Sequence, residues 1–433
     1  MRHLGAGLVD WLATHGERIV YRAAGLPITL GTLFAIGAAK PEFVVRKAYA
    51  HHYVRPEGIG DWLDLFVALS LLPLALAISA AWFTLRNGPT IARRYGRPVV
   101  AQLADQLRLF FADGILPPWY YIFSLHDRDC RRHAAGFLNR CETKCGAYPV
   151  LIARRAASSP LGDKQAFAAY CQAHGLPVIP ILAVARDGRI EAGQRLCDAD
   201  LFVKPVRARG GKGAERWDYL GNGRYSGGHG HGHGHGHGLV LDRDAFLDRL
   251  RHLSFAKPRL VQPRLRNHPV IADLSNGALA TVRALTCLDE QGRPELIAAV
   301  FRMAIGGNRT VDNIHAGGIA AGIDLETGAM SQASDLGMSA RLGWLDRHPD
   351  TGAPISGRIF PRWPELRILA EQAHRAFLDR VFVGWDIALT EAGFCLVEGN
   401  SGPDVDLMQR PVRRGLMEGR FGALLAYHLQ AVP

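Results

Sequence analysis

A hairpin near the C-terminus constrains the fold of this chain more than any other segment. The sequence VGWDIALTEAGFCLVEGNSGPDVDL predicts two strands that turn at residues 391–393. Counting outward from the middle of this turn places Asp386 opposite Glu398, and the alternation of strand side chains puts Asn400 on the same face. Opposed like charges are unfavourable unless a cation neutralises them, and Mg²⁺ prefers such oxygen ligands. These three residues are therefore predicted to bind Mg²⁺, with a solvated polar face as the alternative.

A glycine-rich basic loop in LFVKPVRARGGKGAER is a candidate site for phosphate groups that the same Mg²⁺ would bind. Glycines let backbone N–H groups approach phosphate oxygens, and basic side chains add compensating charge. The spacing is neither that of a Walker A motif nor that of a dinucleotide fingerprint, and a loop of this kind is equally typical of a surface turn. The candidate residues are Lys204, at the end of a short strand, and then Arg207, Arg209, Gly210, Gly211, Lys212 and Gly213.

Six sequence blocks occur in a characteristic order from about residue 115 to the end of the chain. They are LGDKQAFAAYCQAHGLPVIP, FVKP with GGKG, LVQPRLRNHP, ALATVRALT, VDNIHAGGIAAGIDLETG, and GWDIAL with LVEGNSGP. Together they resemble the ATP-grasp superfamily, and within it the sugar-transfer associated ATP-grasp group, which is related to glutamate-ligase-like enzymes. The resemblance implies an α+β fold in which two lobes clamp ATP.

The resemblance also implies roles for individual residues. Lys164 and Lys204 would contact the nucleotide, and the loop 210–213 would close over its phosphates. The block LVQPRLRNHP resembles the adenine hinge, which places Gln262 and Leu265 beside the base. Many members carry glutamate in this hinge, whereas here Gln262 precedes a proline, which has no backbone N–H to offer adenine.

Two arginines are candidate catalytic residues. By the resemblance, Arg283 in TVRALT would meet the transferring phosphoryl group, and Arg302 in VFRM is a second candidate. A guanidinium among the apolar neighbours of a strand requires an anion, which agrees with this role. A structural carboxylate such as Asp273 or Asp312 is the alternative partner.

Three other segments contain residue types that bind metals or ligands, and each has a structural alternative. The loop VDNIHAGG could contact a ligand through Asn313 and His315 or could simply form turns. The sequence CRRHAAGFLNRCETKC matches no familiar zinc spacing, so its cysteines are more typical of buried thiols. The tract GGHGHGHGHGHG could bind Zn²⁺, Ni²⁺ or Cu²⁺, but an expanded surface loop is favoured because alternating glycine does not organise a site. The residues concerned are Cys130, His133, Cys141 and Cys145, and His229, His231, His233, His235 and His237.

An apolar segment, residues 63–85, is long enough to span a membrane and is bracketed by Trp62 and Trp82. A buried helix is the alternative. Of the net charge of +11, residues 86–216 hold 21 Lys and Arg against 11 Asp and Glu, an excess of 10. Anionic lipid, or a polyphosphate or acidic substrate, explains this excess better than nucleic acid, because no nucleic-acid-binding motif accompanies it. Use of ATP would place the catalytic part in the cytoplasm, at the inner face of the membrane.

The length of 433 residues predicts more than one domain, and the seven cysteines indicate reduced thiols in the cytosol. We predict a helical N-terminal region over 1–110, a subdomain over 111–180 that leads into the lobes, a glycine-loop lobe over 181–262 and a metal-hairpin lobe over 263–433. Within the second of these, a helix should run from Lys164 to His174 and end at Gly175.

The function implied by the resemblance is ATP- and Mg²⁺-dependent ligation of a carboxylate to an amine through an acyl phosphate. The substrates would be small or glycan-linked, with a role in building a cell-surface glycan or conjugate. An ATP-grasp kinase and a non-catalytic ATP-binding regulator or scaffold are the alternatives. Replacing Asp386 or Glu398 by alanine is expected to abolish turnover and to leave the fold largely intact.

Overall fold

The computed structural model describes residues 40–51, 55–153, 159–191, 196–208, 211, 213–230 and 239–431. The predicted phosphate-binding residues Arg209, Gly210 and Lys212 lie outside the described residues, as do the histidine side chains of the His/Gly tract.

Helices occupy the described chain before the first sheet, as predicted for the N-terminal region. The longest of them extends for 37 residues through Pro73 and Pro89 and ends at Gly96, whose φ of +71° favours glycine. The helices are α1 (Pro41–Tyr49), α2 (Ile59–Tyr95), α3 (Val99–Asp113), α4 (Pro117–Ile122) and α5 (Arg128–Arg132), followed by a π-helix (Cys141–Ala147) that continues into α6 (Tyr148–Ala153).

The first sheet has seven antiparallel strands in the order β2-β1-β7-β3-β4-β5-β6. Before it, α7 (Lys164–Ala173) begins at Asp163, whose carboxylate accepts two backbone N–H bonds, and Gly175 follows its end with positive φ, so the predicted helix is confirmed. The strands are β1 (Ala183–Arg186), β2 (Arg189–Ile190), β3 (Leu201–Pro205), β4 (Glu215–Gly221), β5 (Arg224–Gly230), β6 (Leu239–Asp242) and β7 (Arg259–Pro263), with α8 (Arg243–Ser254) between the last two.

The second sheet has six antiparallel strands in the order β11-β10-β9-β8-β12-β13. One face packs Val282, Phe301 and Trp385 against α10, which forms the largest apolar core cluster. The elements are α9 (Pro269–Ala272), β8 (Thr281–Leu288), β9 (Pro294–Met303), β10 (Ile319–Ile323), β11 (Met330–Ser334), α10 (Trp363–Arg375), β12 (Phe382–Thr390), β13 (Gly393–Asn400), α11 (Asp406–Gln409) and α12 (Arg420–Gln430). The predicted α+β class with two sheets is confirmed.

The hairpin β12–β13 has the predicted pairing of Asp386 with Glu398, but its turn differs from the predicted one. Thr390 pairs with Gly393, so the turn has two residues instead of the predicted three. A register shift between Asp386 and Ile387 then inserts one extra residue into β13. This β-bulge offsets the shorter turn and restores the alignment of the carboxylates.

The N-terminal helices pack into the second lobe and share its core. Val45 of α1 lies in one buried cluster with Leu285 of β8 and Phe421 of α12. From α4, the indole Nε1 of Trp119 donates to Asp406 Oδ2 at 3.0 Å. The face of the second sheet that does not contact α10 is therefore covered in part by residues that precede the first sheet.

Helix α2 is the one helix in the described ranges that is long and apolar enough to cross a membrane, by length and composition only. Its most apolar stretch has a mean hydropathy of 2.2, and only 17% of that stretch is buried. Small or polar residues such as Ala68, Ala80 and Thr84 face the protein, whereas the opposite face exposes large apolar side chains. The exposed residues include Ile59, Trp62, Leu63, Phe66, Leu74, Ile78, Trp82 and Leu85.

Candidate functional site

A buried charge network occupies one end of the second sheet. Arg283 of β8 lies in register with Asp386 of β12, and its Nε and Nη2 both donate to that carboxylate, the latter at 3.0 Å. Arg302 of β9 brings its Nη2 to 3.0 Å from the same Asp386 Oδ2. Burial alone would raise the pKa of Asp386, but Arg283 and then Arg302 hold it below its usual value. The anion that the sequence required for Arg283 is thus the predicted metal ligand Asp386.

A second carboxylate, Asp312, completes this network on the side of Arg302. Arg302 Nη2 lies 3.4 Å from Asp312 Oδ2, and Thr281 Oγ1 accepts from Arg302 while it donates to Asp312. Burial raises the pKa of Asp312 despite the neighbouring guanidinium. Asp312 was one of the two structural partners considered from sequence. The other, Asp273, pairs with Arg358 instead.

Two lysines from outside the second sheet face its carboxylates. Lys164 Nζ, at the start of α7, donates to the carbonyl of Ala208 at 2.9 Å and lies 3.7 Å from Glu398 Oε1. Lys204, on β3, is buried, and this burial, followed by the charge of Lys164, lowers its pKa to about 8. Glu398 and Asp386 act in the opposite direction on the same lysine. The predicted nucleotide lysines and the predicted metal ligands therefore belong to one site.

The described part of the glycine loop reaches across to this site. Gly211 and Gly213 both have φ above +70°, a conformation that glycine adopts without strain. A Cβ built on Gly211 would lie 3.0 Å from the side chain of Val311, the residue before Asp312. Arg259 Nη1 donates to the carbonyl of Gly213 at 2.8 Å and fixes the far end of the loop. No described element separates Gly211 from the Asp312 side of the network.

The predicted hinge residues lie on and just after β7. Gln262 is buried, its Nε2 donates to the carbonyl of Ile179 at 3.3 Å, and its Oε1 has no hydrogen-bond partner. By strand alternation it shares a sheet face with Leu260, which pairs with Lys204. Leu265 is half-buried in the segment that follows. A small apolar cluster of Val184, Val206 and Leu260 lies on this face, and no local sequence pattern predicts it because its members come from separate segments.

Of the remaining candidates, Asn400 donates from Nδ2 to the carbonyl of Gly384 at 3.4 Å, which leaves its amide oxygen as an acceptor toward the hairpin face. Arg207 pairs at 3.0 Å with Asp163 at the start of α7, and its side chain is largely exposed. Asn313 accepts a hydrogen bond from the backbone N–H of His315 at 3.0 Å, which is a turn-forming contact. His315 itself faces Asp404, which sequence reasoning did not single out.

The four residues of the alternative zinc site make other contacts. Cys130 Sγ donates to the carbonyl of Arg413 at 3.7 Å, and His133 Nδ1 lies 2.9 Å from Glu418 Oε1. Burial raises the pKa of the Cys141 thiol to about 12. Within the residues that the structure describes, no three His, Cys, Asp or Glu side chains form a group suited to a metal.

The donor set on the hairpin fits a hard dication in chemistry, because Asp386, Glu398 and Asn400 present carboxylate and amide oxygens on adjacent positions of one sheet face. Both oxygens of Asp386 contact guanidinium groups, so Mg²⁺ binding would require at least one arginine to find another anion. The network also holds more cations than anions. Four cations (Lys164, Lys204, Arg283 and Arg302) against three anions (Asp312, Asp386 and Glu398) leave a surplus of one positive charge, which suits an anionic ligand.

The chain has an α+β, ATP-grasp-like fold with an N-terminal helical region that contains one long apolar helix. Residues 252–421 match the family described as Sugar-transfer associated ATP-grasp, so this part of the chain is a sugar-transfer associated ATP-grasp domain. The matched range contains Gln262, both arginines and the metal hairpin, whereas Lys164, Lys204 and the glycine loop precede it. A comparison with curated proteins gave no match.

Solved structures that are similar to this chain include one synthetase and two ligases. D-alanyl-alanine synthetase A from Vibrio cholerae is 10% identical, with a TM-score of 0.36 over 63% of this chain and 65% of that one. An L-amino acid ligase from Bacillus licheniformis is 10% identical, with a TM-score of 0.34 over 61% of this chain and 48% of that one. The ATP-grasp ligase PsnB, complexed with a minimal precursor, is 16% identical, with a TM-score of 0.34 over 68% and 69%. The chain thus spans less than two thirds of the length of the first two.

Proposed function

We propose that this chain is an ATP- and Mg²⁺-dependent ligase that joins a carboxylate to an amine through an acyl phosphate. The observation that carries the proposal is the meeting of Lys164 and Lys204 from one side with Asp386 and Glu398 of the hairpin from the other. Membership of residues 252–421 in an ATP-grasp family implies ATP binding and supports it. The family description further suggests substrates linked to glycans.

The lysines and the glycine loop would hold the triphosphate. Lys164 and Lys204 bring two positive charges to the network, and the loop from Gly211 to Gly213 would add backbone N–H groups. The unpaired Oε1 of Gln262 would accept a hydrogen bond from the adenine amino group, beside the apolar cluster on the same sheet face. This would replace the backbone donor that Pro263 lacks.

The arginines would exchange partners when the nucleotide binds. In the structure, Arg283 and Arg302 share the carboxylate of Asp386. Phosphate oxygens offer the same bidentate geometry, so each guanidinium can turn to the transferring phosphoryl group without losing its charge compensation. Asp386, Glu398 and Asn400 would hold Mg²⁺, which supplies neutralisation of phosphate charge when it is bound.

The reaction itself needs positioning and charge stabilisation, and no covalent protein nucleophile. A carboxylate oxygen of the first substrate attacks the γ-phosphorus, and the bond to the ADP oxygen breaks. The amine then attacks the acyl carbon, the C–O bond to phosphate breaks, and phosphate leaves with one proton lost from nitrogen. The guanidinium groups would stabilise charge on the equatorial phosphate oxygens in the first step.

The experiment is to incubate the purified chain with Mg²⁺-ATP, a pool of amino acids and uronic acids as carboxylates, and hydroxylamine as the acceptor. A ligase forms hydroxamates and releases ADP only when a carboxylate is present. A kinase yields a phosphorylated product without hydroxamate, and AMP release would indicate an adenylate. If ATP binds but neither product nor carboxylate-dependent ADP appears, the ligase proposal is wrong and the non-catalytic alternative stands.

We further propose that α2 attaches the chain to the cytoplasmic face of a membrane. Trp62 and Trp82 are both about 60% exposed and are separated by 20 residues, which at about 1.5 Å per residue is roughly the thickness of a hydrocarbon core. Exposed arginines, including Arg86 and Arg93, follow at the end of the helix. Flotation with vesicles of phosphatidylethanolamine that contain either 30% or no phosphatidylglycerol tests this. The wild type is compared with the double variant Phe66→Gln/Leu74→Gln. Wild type that does not float with either vesicle would refute it.

A further inference from the structure

A second polar cluster lies beside the charge network and is not used by the steps above. Lys144 Nζ lies 3.0 Å from Asp404 Oδ2, and His315 Nε2 lies 3.8 Å from the same oxygen. The side chain of His315 is 48% exposed, whereas that of Asp404 is only 10% exposed. A buried carboxylate thus faces a solvent-accessible imidazole, with a lysine on its other side.

The cluster is attached to the network at two points. Asp404 follows the hairpin by four residues, and a Cβ built on Gly384 would lie 2.6 Å from Pro403 Cβ and 3.6 Å from Arg283 Cδ. The segment after the hairpin therefore folds back against the strand that carries Asp386, next to Arg283. His315 follows Asp312 by three residues. Both lie in the loop that contains Val311, which is next to Gly211 of the glycine loop.

The N-terminal region contributes to this cluster through an uncommon element. Lys144 belongs to the π-helix Cys141–Ala147, and Arg140 at its start adds positive charge near Asp404. π-Helical turns are rare and are often found at functional sites. A side chain from the N-terminal helices therefore reaches the carboxyl end of the metal hairpin, which the matched family domain alone does not supply.

The charges around His315 favour one tautomer of its imidazole. Burial would raise the pKa of Asp404, but His315, Lys144 and Arg140 hold it well below its usual value, so it is ionised. Asp406, two residues on, is buried behind it, where burial and the charge of Asp404 raise its pKa. With the carboxylate next to Nε2, a neutral His315 keeps its proton on Nε2 and offers Nδ1 as the basic nitrogen.

We propose that His315 is the general base that deprotonates the acceptor amine, with Asp404 and Lys144 as positioning residues. This rests on the proposed ligase function. The acceptor enters as an ammonium ion, and Nδ1 takes one proton from it. The nitrogen lone pair then attacks the acyl-phosphate carbon, the C–N bond forms, the C–O bond to phosphate breaks, and the departing phosphate takes the second proton from nitrogen. The imidazolium, stabilised by Asp404, later releases its proton to water.

The test compares two acceptors in the full chain, because hydroxylamine is already unprotonated at neutral pH and needs no base. His315→Ala should lower coupling to a pool of amino acids and amino sugars by about 10²- to 10⁴-fold, and hydroxamate formation should stay near the wild-type rate. Added imidazole should restore part of the amine coupling. In the variant, amine coupling should rise with pH in proportion to the free amine, by about tenfold per pH unit below the pKa of the amine, whereas the wild-type rate should depend less on pH. His252→Ala, on exposed α8, is the matched control.

The outcomes separate this proposal from the ligase proposal. If wild type forms no hydroxamate, the ligase function itself fails, whatever the His315 variant does. If wild type forms hydroxamate but couples no amine of the pool, or if His315→Ala loses both products equally, His315 is not a base. Equal amine coupling and equal pH profiles in wild type and His315→Ala would also overturn it. Asp404→Asn should show a smaller loss of amine coupling than His315→Ala, with the same hydroxamate rate.

Discussion

Among the places where the described residues bury arginine, two satisfy its charge in different ways. Arg283 and Arg302 depend on carboxylates, mainly Asp386, and they adjoin a site with surplus positive charge. Arg410 instead donates to neutral acceptors, which are the carbonyls of Tyr121, Ile122 and Asp335 and the hydroxyls of Ser124 and Ser334. The first pair can exchange one anion for another, whereas Arg410 has its acceptors fixed by the backbone.

The pKa values of Arg283 and Arg410 differ in accordance with these two kinds of partner. Burial opposes the charge of Arg283, but Asp386 more than compensates and raises its pKa. Burial lowers the pKa of Arg410 to about 10, because its nearest carboxylate, Asp335, is 3.7 Å away. Trp344 lies 5.0 Å from the Arg410 guanidinium and adds a cation–π contact. Arg283 is thus held mainly by a carboxylate, whereas Arg410 is held mainly by carbonyl and hydroxyl oxygens.

The largest expected effect comes from Asp386→Asn, measured against Glu398→Gln. Both changes remove a carboxylate of the hairpin and should lower turnover by at least 10²- to 10³-fold. Asp386→Asn also leaves two buried guanidinium groups without their charge partner, so the free energy of unfolding should fall by about 3–5 kcal/mol. Glu398 faces Lys164 at 3.7 Å near solvent, and its change should cost less than about 1 kcal/mol. Urea unfolding and ADP release measure the two quantities.

This prediction differs from the sequence-based expectation that either alanine variant keeps its fold, because the sequence did not place Asp386 between two arginines. Equal stability of the two variants would show that Asp386 does not compensate the arginines.

Arg410→Met should lower the stability of the fold and leave ATP binding unchanged. It removes a donor from the carbonyls of Ile122 and Asp335, and one of two donors from the carbonyl of Tyr121, and should lower the free energy of unfolding by about 3 kcal/mol. ATP affinity measured by calorimetry, at a temperature where the variant is folded, should not change. Arg302→Met is the matched control. It should lose turnover with a smaller loss of stability, because Asp386 still pairs with Arg283. A loss of ATP affinity in Arg410→Met would contradict the division between the two kinds of arginine.

Lys204 gives the site a pH dependence that lies at lower pH than the one that Arg410 contributes. Its pKa is lowered to about 8 from an ordinary 10.5, so the folded chain holds fewer protons than the unfolded chain between these values. The free energy of unfolding should therefore rise with pH across that window as far as Lys204 is concerned. In its proposed role Lys204 holds ATP through its charged amine, so affinity should fall roughly tenfold from pH 7 to pH 9. In Lys204→Arg the affinity should be flat over this range, and an equally steep fall in that variant would assign the effect to another group.

The smallest expected effect concerns the glycine loop. Gly211→Ala forces a φ of +72° on alanine and places a Cβ 3.0 Å from Val311. Gly96 has a φ of +71° but no heavy atom within 4 Å of its built Cβ, so Gly96→Ala is the matched control. Both variants should lose about 1 kcal/mol of stability from the backbone. Only Gly211→Ala should weaken ATP binding, by several-fold, because Val311 must shift. Equal ATP affinities would place the loop outside the site.

The sequence by itself determined the local elements. The α7 cap at Asp163, the strands and the alignment of Asp386 with Glu398 follow from turn residues and side-chain alternation, which act over short stretches of chain. The ordered motifs also predicted the ATP-grasp class, which residues 252–421 confirm. The bulge that produces the hairpin alignment was not predicted, because it offsets the turn length and leaves the count unchanged.

Only the tertiary structure decided which charges meet. Arg283 and Asp386 are 103 positions apart, and they pair because β8 and β12 are neighbours in a strand order that no local pattern specifies. The same holds for Lys144 and Asp404, 260 positions apart, which join the N-terminal helices to the hairpin. Side-chain periodicity fixes the face on which a residue lies, whereas its partner depends on how the whole chain packs.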